Sequence, residues 1–212
     1  DRVYFDKPNG QGIGTNQNSV DSVSIEDYAE LMGWYLSEGS AYISKTSPMV
    51  SIRQTKESQH LSDLMARIPW RVVTIKDSGY VICSRQLYNH LKPLGNVYQK
   101  RVPEVLFKQS SRVIKLFLHA FALGDGHFTP TGGIAFGLAN EGLIDDLQAL
   151  YTITGRVAVK SGPVVIEREG KQYTHWRLSV SKQSRLITQL RANGKRLQYS
   201  GEVWCLSVPG TH

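Results

Sequence analysis

The alternation of apolar and polar positions predicts the same order of elements twice along the chain. The first set begins with a helix from the Ser24 cap to Glu38, followed by strands near 40–45 and 49–54 and a helix over 58–68. It ends with strands near 70–76 and 80–84 and a helix over 85–92. The second set comprises a helix from Ser111 to Asp125, strands near 127–130 and 133–139, a helix over 141–153, strands near 156–160, 163–168 and 173–180, and a helix over 183–193. We therefore expect an α+β fold of two pseudo-symmetric αββαββα halves.

This repeat predicts how the chain divides. The expected parts are an irregular lead-in (1–23), the first half (24–98), a linker that contains Pro103 (99–110), the second half (111–198) and a C-terminal strand or tail (199–212).

The first helices of the two halves can be aligned residue by residue. The segment 31–39 (LMGWYLSEG) matches 118–126 (LHAFALGDG), and the two acids are 87 residues apart, since 125 − 38 = 87. In each segment two small residues stand four apart, Gly33 with Ser37 and Ala120 with Gly124, so they share one helix face. Two helices that meet along such faces can approach backbone to backbone, with both acids at the same end.

Two carboxylates at one end of a helix pair repel each other unless protons or cations are shared. Mg²⁺ accepts carboxylate, water and phosphate oxygens, and paired metal sites promote phosphodiester hydrolysis. Glu38 and Asp125, with the glycines that follow them, Gly39 and Gly126, form the predicted metal site. The alternative is that two capped helices carry unrelated terminal acids, and the repetition of the whole pattern argues against it.

The paired segments resemble the motifs of the LAGLIDADG homing endonucleases, over roughly 25–200 of the chain. The resemblance implies that the two motif helices form the interface between the halves and that each half lays a four-stranded antiparallel sheet in the DNA major groove. It also implies Mg²⁺-dependent cleavage of both strands across the minor groove, with short 3′ overhangs and two or three divalent ions between the motif helices. Glu38 departs from the family pattern, which has Asp at that position, and His119 stands where a small residue is usual.

Further catalytic residues follow from the same resemblance. The family often has a polar residue after the second strand that orders water, and Gln54 and Asn140 match that position, although either could instead cap a helix. Family members also place a basic residue near the acids. Lys100 resembles it, with Lys195 as its counterpart, although both could be ordinary surface charges.

Strand alternation predicts a DNA-binding face in each half, because one face of a strand is apolar and the other polar. Without the paired acids, the same residues would be interpreted as a solvated sheet face. The predicted DNA-binding residues are Tyr42, Ser44, Ser51, Arg53, Thr74, Lys76, Tyr80, Arg156, Lys160, His175, Arg177 and Ser179.

Composition agrees with a globular protein that binds a polyanion. Apolar residues make up 41% of the 212 residues, the net charge is +7 and the pI is about 9.4. No apolar run is long enough to suggest a membrane span, and the two cysteines show neither metal-ligand spacing nor a disulfide framework, so we expect an intracellular protein. Segment 199–212 resembles the strand near the C-terminal end of protein-splicing (intein) domains, but the splicing residues themselves are missing.

The sequence thus favours a monomeric, site-specific endonuclease that cuts double-stranded DNA at a long, roughly pseudo-palindromic target with Mg²⁺. Two alternatives remain open. One is a protein of the same fold that binds nucleic acid without cleaving it, as a maturase or regulator does. The other is a fragment of a splicing domain with structural duties only.

Overall fold

The computed structural model describes residues 1–7, 19–55, 58–168 and 170–182, together with 198 and 200–202. Before the first half, two short strands pair antiparallel, β1 (Arg2–Tyr4) and β2 (Ser22–Ser24). The first half then contains α1 (Ile25–Glu38), β3 (Gly39–Ser44), β4 (Ser47–Ile52), α2 (Gln59–Arg67), β5 (Arg71–Ile75), β6 (Gly79–Cys83), α3 (Arg85–Leu91) and a short 3-10 helix (Lys92–Leu94).

The second half repeats this order after a four-residue helix, α4 (Glu104–Phe107). Its elements are α5 (Ser111–Asp125), β7 (His127–Phe128), β8 (Ile134–Leu138), α6 (Glu141–Ile153), β9 (Ala158–Arg168) and β10 (Lys171–Val180). The strands form two four-stranded antiparallel sheets, in the order β3-β4-β6-β5 and β7-β8-β10-β9. The expected fold class is confirmed.

Helix starts follow local capping chemistry. The Ser24 side chain accepts a hydrogen bond from the Asp27 backbone N–H, and Ser110 does the same for Val113. The helices then bury an apolar stripe, because Trp34 and Tyr35 of α1 and Phe117 and Phe121 of α5 are almost wholly inaccessible to solvent. These large side chains fill the core on which both sheets pack.

Several predicted boundaries differ from the structure. The lead-in is partly a sheet, and Phe5 packs edge to face against Trp70. The two strands predicted near 156–160 and 163–168 are one strand, β9, which has a bulge where it pairs with β10 between His175 and Arg177. The linker contains α4. The predicted helix over 183–193 and most of the C-terminal segment lie outside the described residues.

No helix in the described part of the chain is both long and apolar enough to cross a membrane.

Candidate active site and DNA-binding faces

Helices α1 and α5 pack backbone to backbone through their small residues, as the sequence predicts. A methyl group added at Gly33 would lie 2.6 Å from the Phe117 carbonyl oxygen and 2.7 Å from Cβ of Ala120. Gly124 lies equally close to the side chain of Ser37. Small residues of each helix therefore face those of the other, and the helix axes can approach closely along the whole crossing.

The two acids are the last residues of these helices. Glu38 ends α1 and Asp125 ends α5, and the following glycines donate their backbone N–H groups to Tyr35 and Ala122. A Cβ built on Gly124 would lie 3.1 Å from Cγ of Glu38, which places the Glu38 side chain beside the backbone that carries Asp125. Both carboxylates thus lie at one end of the helix pair. At the other end, Glu26 of α1 and Arg112 of α5 form an ion pair.

The site raises the pKa of Asp125 to about 6, first through partial desolvation and then through the negative charge of Glu38, while Lys100 opposes the shift. Repulsion between two neighbouring carboxylates is the electrostatic property that the sequence predicts. It also means that a bound cation would lower the energy of the ionised pair.

Lys100 lies in the linker and reaches into this end of the helix pair. Its side chain is 5% exposed, and its ammonium donates to the carbonyl oxygens of Tyr35 and Gly39, each at 2.7 Å. The same nitrogen lies 4.5 Å from the centroid of the Tyr35 ring. Burial lowers the pKa of Lys100 to about 8, against the attraction of Asp125 and Glu38. Lys100 is therefore a buried cation close to both acids rather than a surface charge.

Asn140 holds the linker that carries Lys100. Its Nδ2 donates to the Lys100 carbonyl at 2.7 Å and to the Val97 carbonyl at 3.2 Å, while its Oδ1 accepts from the backbone N–H of Leu143 as the N-cap of α6. The capping alternative is confirmed. A water-ordering role for Asn140 stays a prediction.

A second contact from α6 fixes the next residues of the linker. The Arg101 guanidinium donates to both oxygens of Asp146, at 2.7 and 2.6 Å, and the Val102 N–H donates to the same carboxylate. Sequence patterns did not reveal this clamp, because its partners lie 45 residues apart.

Gln54 follows β4 and is half-buried. The adjacent Arg53 donates its backbone N–H to the Glu38 carbonyl at 3.1 Å, so the end of β4 lies beside the end of α1. The location agrees with a role near the carboxylates, and the role itself stays a prediction. Lys195, the expected counterpart of Lys100, lies outside the described residues.

Glu38 and Asp125 could supply part of the coordination shell of a divalent cation. The chain offers two carboxylates, and the described residues include no group of three or more His, Cys, Asp and Glu side chains that could hold a metal. A hard ion such as Mg²⁺ commonly takes one or two carboxylates and completes its shell with water and phosphate. Of the two glycines in the predicted metal site, Gly39 accepts a hydrogen bond from Lys100 through its carbonyl oxygen.

The first sheet presents part of the predicted DNA-binding set on its open face, away from the core. Ser51 is adjacent to Ser40 and shares its face with Tyr42, Ser44 and Arg53, because the alternate residues Val50 and Ile52 are fully buried in the core. Ser51 itself is only 6% exposed, since its neighbours on this face cover it.

The strand register does not place three residues of the predicted set on the open face, and their DNA-binding role stays a prediction. Thr74 pairs with Tyr80, and both lie on the same face as the pair Val72 and Ile82, which belongs to the core. Lys76 follows β5 in the turn and lines the same cleft as Thr74 and Tyr80. Thr74 and Tyr80 therefore belong to the helix-covered side of the sheet, whereas Lys76 lies beyond the end of β5.

The second sheet confirms the predicted face of β10 and corrects that of β9. Arg177 and Ser179 alternate with the buried Leu178 and Val180 and are exposed, and His175 shares their face. Lys160 pairs in register with Leu178, so it points to the helix side.

Contacts confirm that Lys160 and Arg156 do not belong to the open face. The Lys160 ammonium binds Glu141 at 2.7 Å and Asp145 at 2.6 Å, both on α6. Arg156 precedes β9 and donates to the Ser181 carbonyl at 3.0 Å.

The same registers identify open-face residues that the sequence interpretation missed. They are Arg71, Val73, Ile75, Val81 and Cys83 in the first sheet, Met49 beside Tyr42, and Val159 and Ser161 in the second. Val50 and Ile82 are fully buried, so the residues that alternate with them along β4 and β6 must point to the open face.

Two units, each with a four-stranded antiparallel sheet, that meet at a close-packed helix pair with an acid at the end of each helix define the LAGLIDADG fold, and the described part of the chain has this fold. Among solved structures, it matches the homing endonuclease I-DmoI with a TM-score of 0.54 and 16% identity, over 74% of this chain and 89% of that one. I-DmoI in complex with DNA and Mn matches with a TM-score of 0.53, also at 16% identity, over 74% and 90%.

Sequence comparison gives relatives of a different kind. The chain is 29% identical over 143 residues to a DNA polymerase of Thermococcus sp. (strain GE8) and 28% identical over 143 residues to that of Thermococcus hydrothermalis, covering 64% of this chain in each case. It spans only 8% and 9% of the length of these two proteins. No protein-family model matches the chain.

Proposed function

We propose that the chain is a divalent-metal-dependent endonuclease that cuts both strands of a specific DNA target. The observation that carries this proposal is the pair of carboxylates, Glu38 and Asp125, held together at the end of two close-packed helices with the buried Lys100 beside them. The basic composition supports a DNA partner. The fold supports it too, since I-DmoI shares the fold and has been solved with its target DNA in the presence of Mg.

In this proposal Glu38 and Asp125 are the residues that would hold Mg²⁺. The bound ion supplies polarisation of the phosphate and a lowered pKa for water. Lys100 stabilises the negative charge that develops on the phosphate. Gln54 orders water near the Glu38 carboxylate. Because both halves already pair within one chain, we propose that a monomer cuts a roughly pseudo-palindromic site across the minor groove, leaving short 3′ overhangs.

The test is incubation of the full chain with a plasmid library of random inserts and Mg²⁺. We expect a discrete double-strand cut that is lost on chelation, in Glu38→Gln and in Asp125→Asn. Asp63→Asn and Glu104→Gln are matched controls, since these exposed acids lie on α2 and α4 rather than on the helix pair and bind only nearby residues of their own segments, and they should cut like the unaltered chain.

A cut that survives both site substitutions would refute the assignment of the carboxylates. Specific binding with no cut under any divalent ion would favour the alternative, a nucleic-acid-binding protein such as a maturase or regulator.

We also propose that such a nuclease is carried inside a host protein, as in an intein. The support is the resemblance of 199–212 to a splicing-domain strand and the match to a small part of each DNA polymerase. Expression of the chain within its natural precursor, followed by mass measurement of the products, tests whether it is excised.

A further inference from the structure

The open face of the first sheet carries a group of apolar side chains beside the hydrogen-bonded pair Ser40 and Ser51. Val81 of β6 pairs with Val73 of β5, and Tyr42 of β3 pairs with Met49 of β4. Ile75, 43% exposed, extends this surface at the β5 edge. We call these five residues the first face. A contiguous exposed apolar patch commonly marks a surface that contacts a partner.

Cations stand at the margin of the first face rather than at its centre. Arg71 begins β5 and Arg53 follows β4, and both are exposed. Guanidinium groups at the margin of an apolar surface suit a duplex, whose phosphates flank the base edges of the major groove.

The open face of the second sheet differs in having a cation near the middle of an inner strand, although the exposed Val159 lies beside Ser179 on the same face. Arg177 stands in the middle of β10, in register with Gly137 on one side and Ser161 on the other. A Cβ on Gly137 would meet only the His175 ring, at 3.7 Å, so small neighbours leave the guanidinium room to project. Among the residues that the structure describes, none forms a hydrogen bond or ion pair with the Arg177 side chain. We call Arg177, His175 and Ser179 the second face.

We infer that the two halves read chemically different half-sites: the first face packs against thymine methyl groups, and Arg177 of the second face reads a guanine. This inference rests on the proposed function. In the major groove only thymine presents a methyl group, and apolar side chains contact it. Guanine presents two acceptors, N7 and O6, that match the guanidinium fork. The full target is therefore pseudo-palindromic in layout and unequal in base chemistry.

The experiment starts with the full chain and a randomised duplex library, with Ca²⁺ in place of Mg²⁺. Selection should return one site, and Arg177→Ala should relax a guanine preference in one half-site by about 5- to 150-fold. That change identifies the half-site of the second face. Thymines are then replaced by deoxyuridine, which removes only the methyl group. In the other half-site each replacement should weaken binding by about fourfold, whereas in the Arg177 half-site it should have little effect.

Val81→Thr keeps the shape of the side chain and replaces a methyl by a hydroxyl. It should bring the affinities for the thymine and deoxyuridine sites together. Val165→Thr is the matched control, because Val165 is 58% exposed but lies on β9 away from both faces, and it should preserve the difference.

Three outcomes overturn the inference. One is a selected site at which deoxyuridine has equal effects, or none, in both half-sites. Another is an Arg177→Ala variant with unchanged base preference. The third is a dimer, seen by sedimentation, that Val81→Thr dissociates, since it would assign the first face to self-association. In the first two cases specific DNA binding and cleavage persist, so the proposed function stands, and its own failure is recognised by the absence of any selected site.

Discussion

A single methyl group at the helix crossing tests whether close packing of α1 and α5 holds the site together. In Gly33→Ala the new Cβ would lie 2.6 Å from the Phe117 carbonyl oxygen, 2.7 Å from Cβ of Ala120 and 2.9 Å from the Phe121 nitrogen. Two of these three atoms are backbone, so rotation of a side chain cannot relieve the overlap. The helices must separate.

The magnitude follows from two opposing effects. Overpacking of a well-packed core costs about 1–3 kcal/mol, whereas replacing Gly by Ala within a helix gains about 1 kcal/mol. Because two of the overlapping atoms are backbone, the upper part of the overpacking range applies, about 2–3 kcal/mol. The expected net loss is then about 1–2 kcal/mol, which for a chain of this size lowers Tm by roughly 2–8 °C. Separation of the helices would also move Asp125 away from Glu38 and so lower the pKa of Asp125 from its value of about 6.

The assays are thermal unfolding followed by circular dichroism and titration of Asp125 by carboxyl-detected NMR. Gly137→Ala is the control, since its Cβ meets only one atom at 3.7 Å and should leave Tm nearly unchanged or higher. If Gly33→Ala unfolds at or above the temperature of the unaltered chain, the close crossing of the helices is refuted.

Three further predictions concern the charges of the site. Asp125→Asn should stabilise the metal-free chain above pH 6, because the raised pKa of Asp125 means that folding disfavours the carboxylate. Denaturant unfolding measured from pH 4 to 8 should show that this gain in the free energy of unfolding shrinks as the pH falls through 6. The lowered pKa of Lys100 means that its contribution to stability should rise between about pH 8 and 10.5, and Lys100→Met should remove that rise in the same assay. Asp146→Ala should release Arg101 and lower kcat for DNA cleavage more than it weakens DNA binding in a gel-shift assay, because Lys100 is then poorly held; equal binding and equal kcat would contradict the clamp.

The sequence predicted the fold because the repeated order of elements is local. Helix α6 spans Glu141–Ile153 as expected, and α1 begins after the Ser24 cap and ends before Gly39. Hydrophobic periodicity and capping residues act within a few positions, so they can be recognised without tertiary contacts.

Strand faces were predicted less well, for a physical reason. In β5 both Val72 and Val73 are apolar, so alternation alone does not decide which of them points to the core. Register with the fully buried Ile82 decides for Val72. In β9 the exposed Val159 looked like a core residue, and the true inward position, Lys160, is tolerated because two acids of α6 neutralise it.

The electrostatic state of the site could not be predicted because it is assembled from distant parts of the chain. The acids come from α1 and α5, and the cation between them comes from the linker. The Lys100 carbonyl accepts a hydrogen bond from Asn140, the N-cap of α6 in the second half, while the Lys100 ammonium donates to carbonyl oxygens at the end of α1 in the first half. Lys100 therefore joins the two halves, because its backbone carbonyl contacts the second half and its ammonium contacts the first. A cation fixed in this way stays close to both carboxylates only while α1 and α6 keep their relative position, so any change that separates the halves must alter charge balance and geometry together.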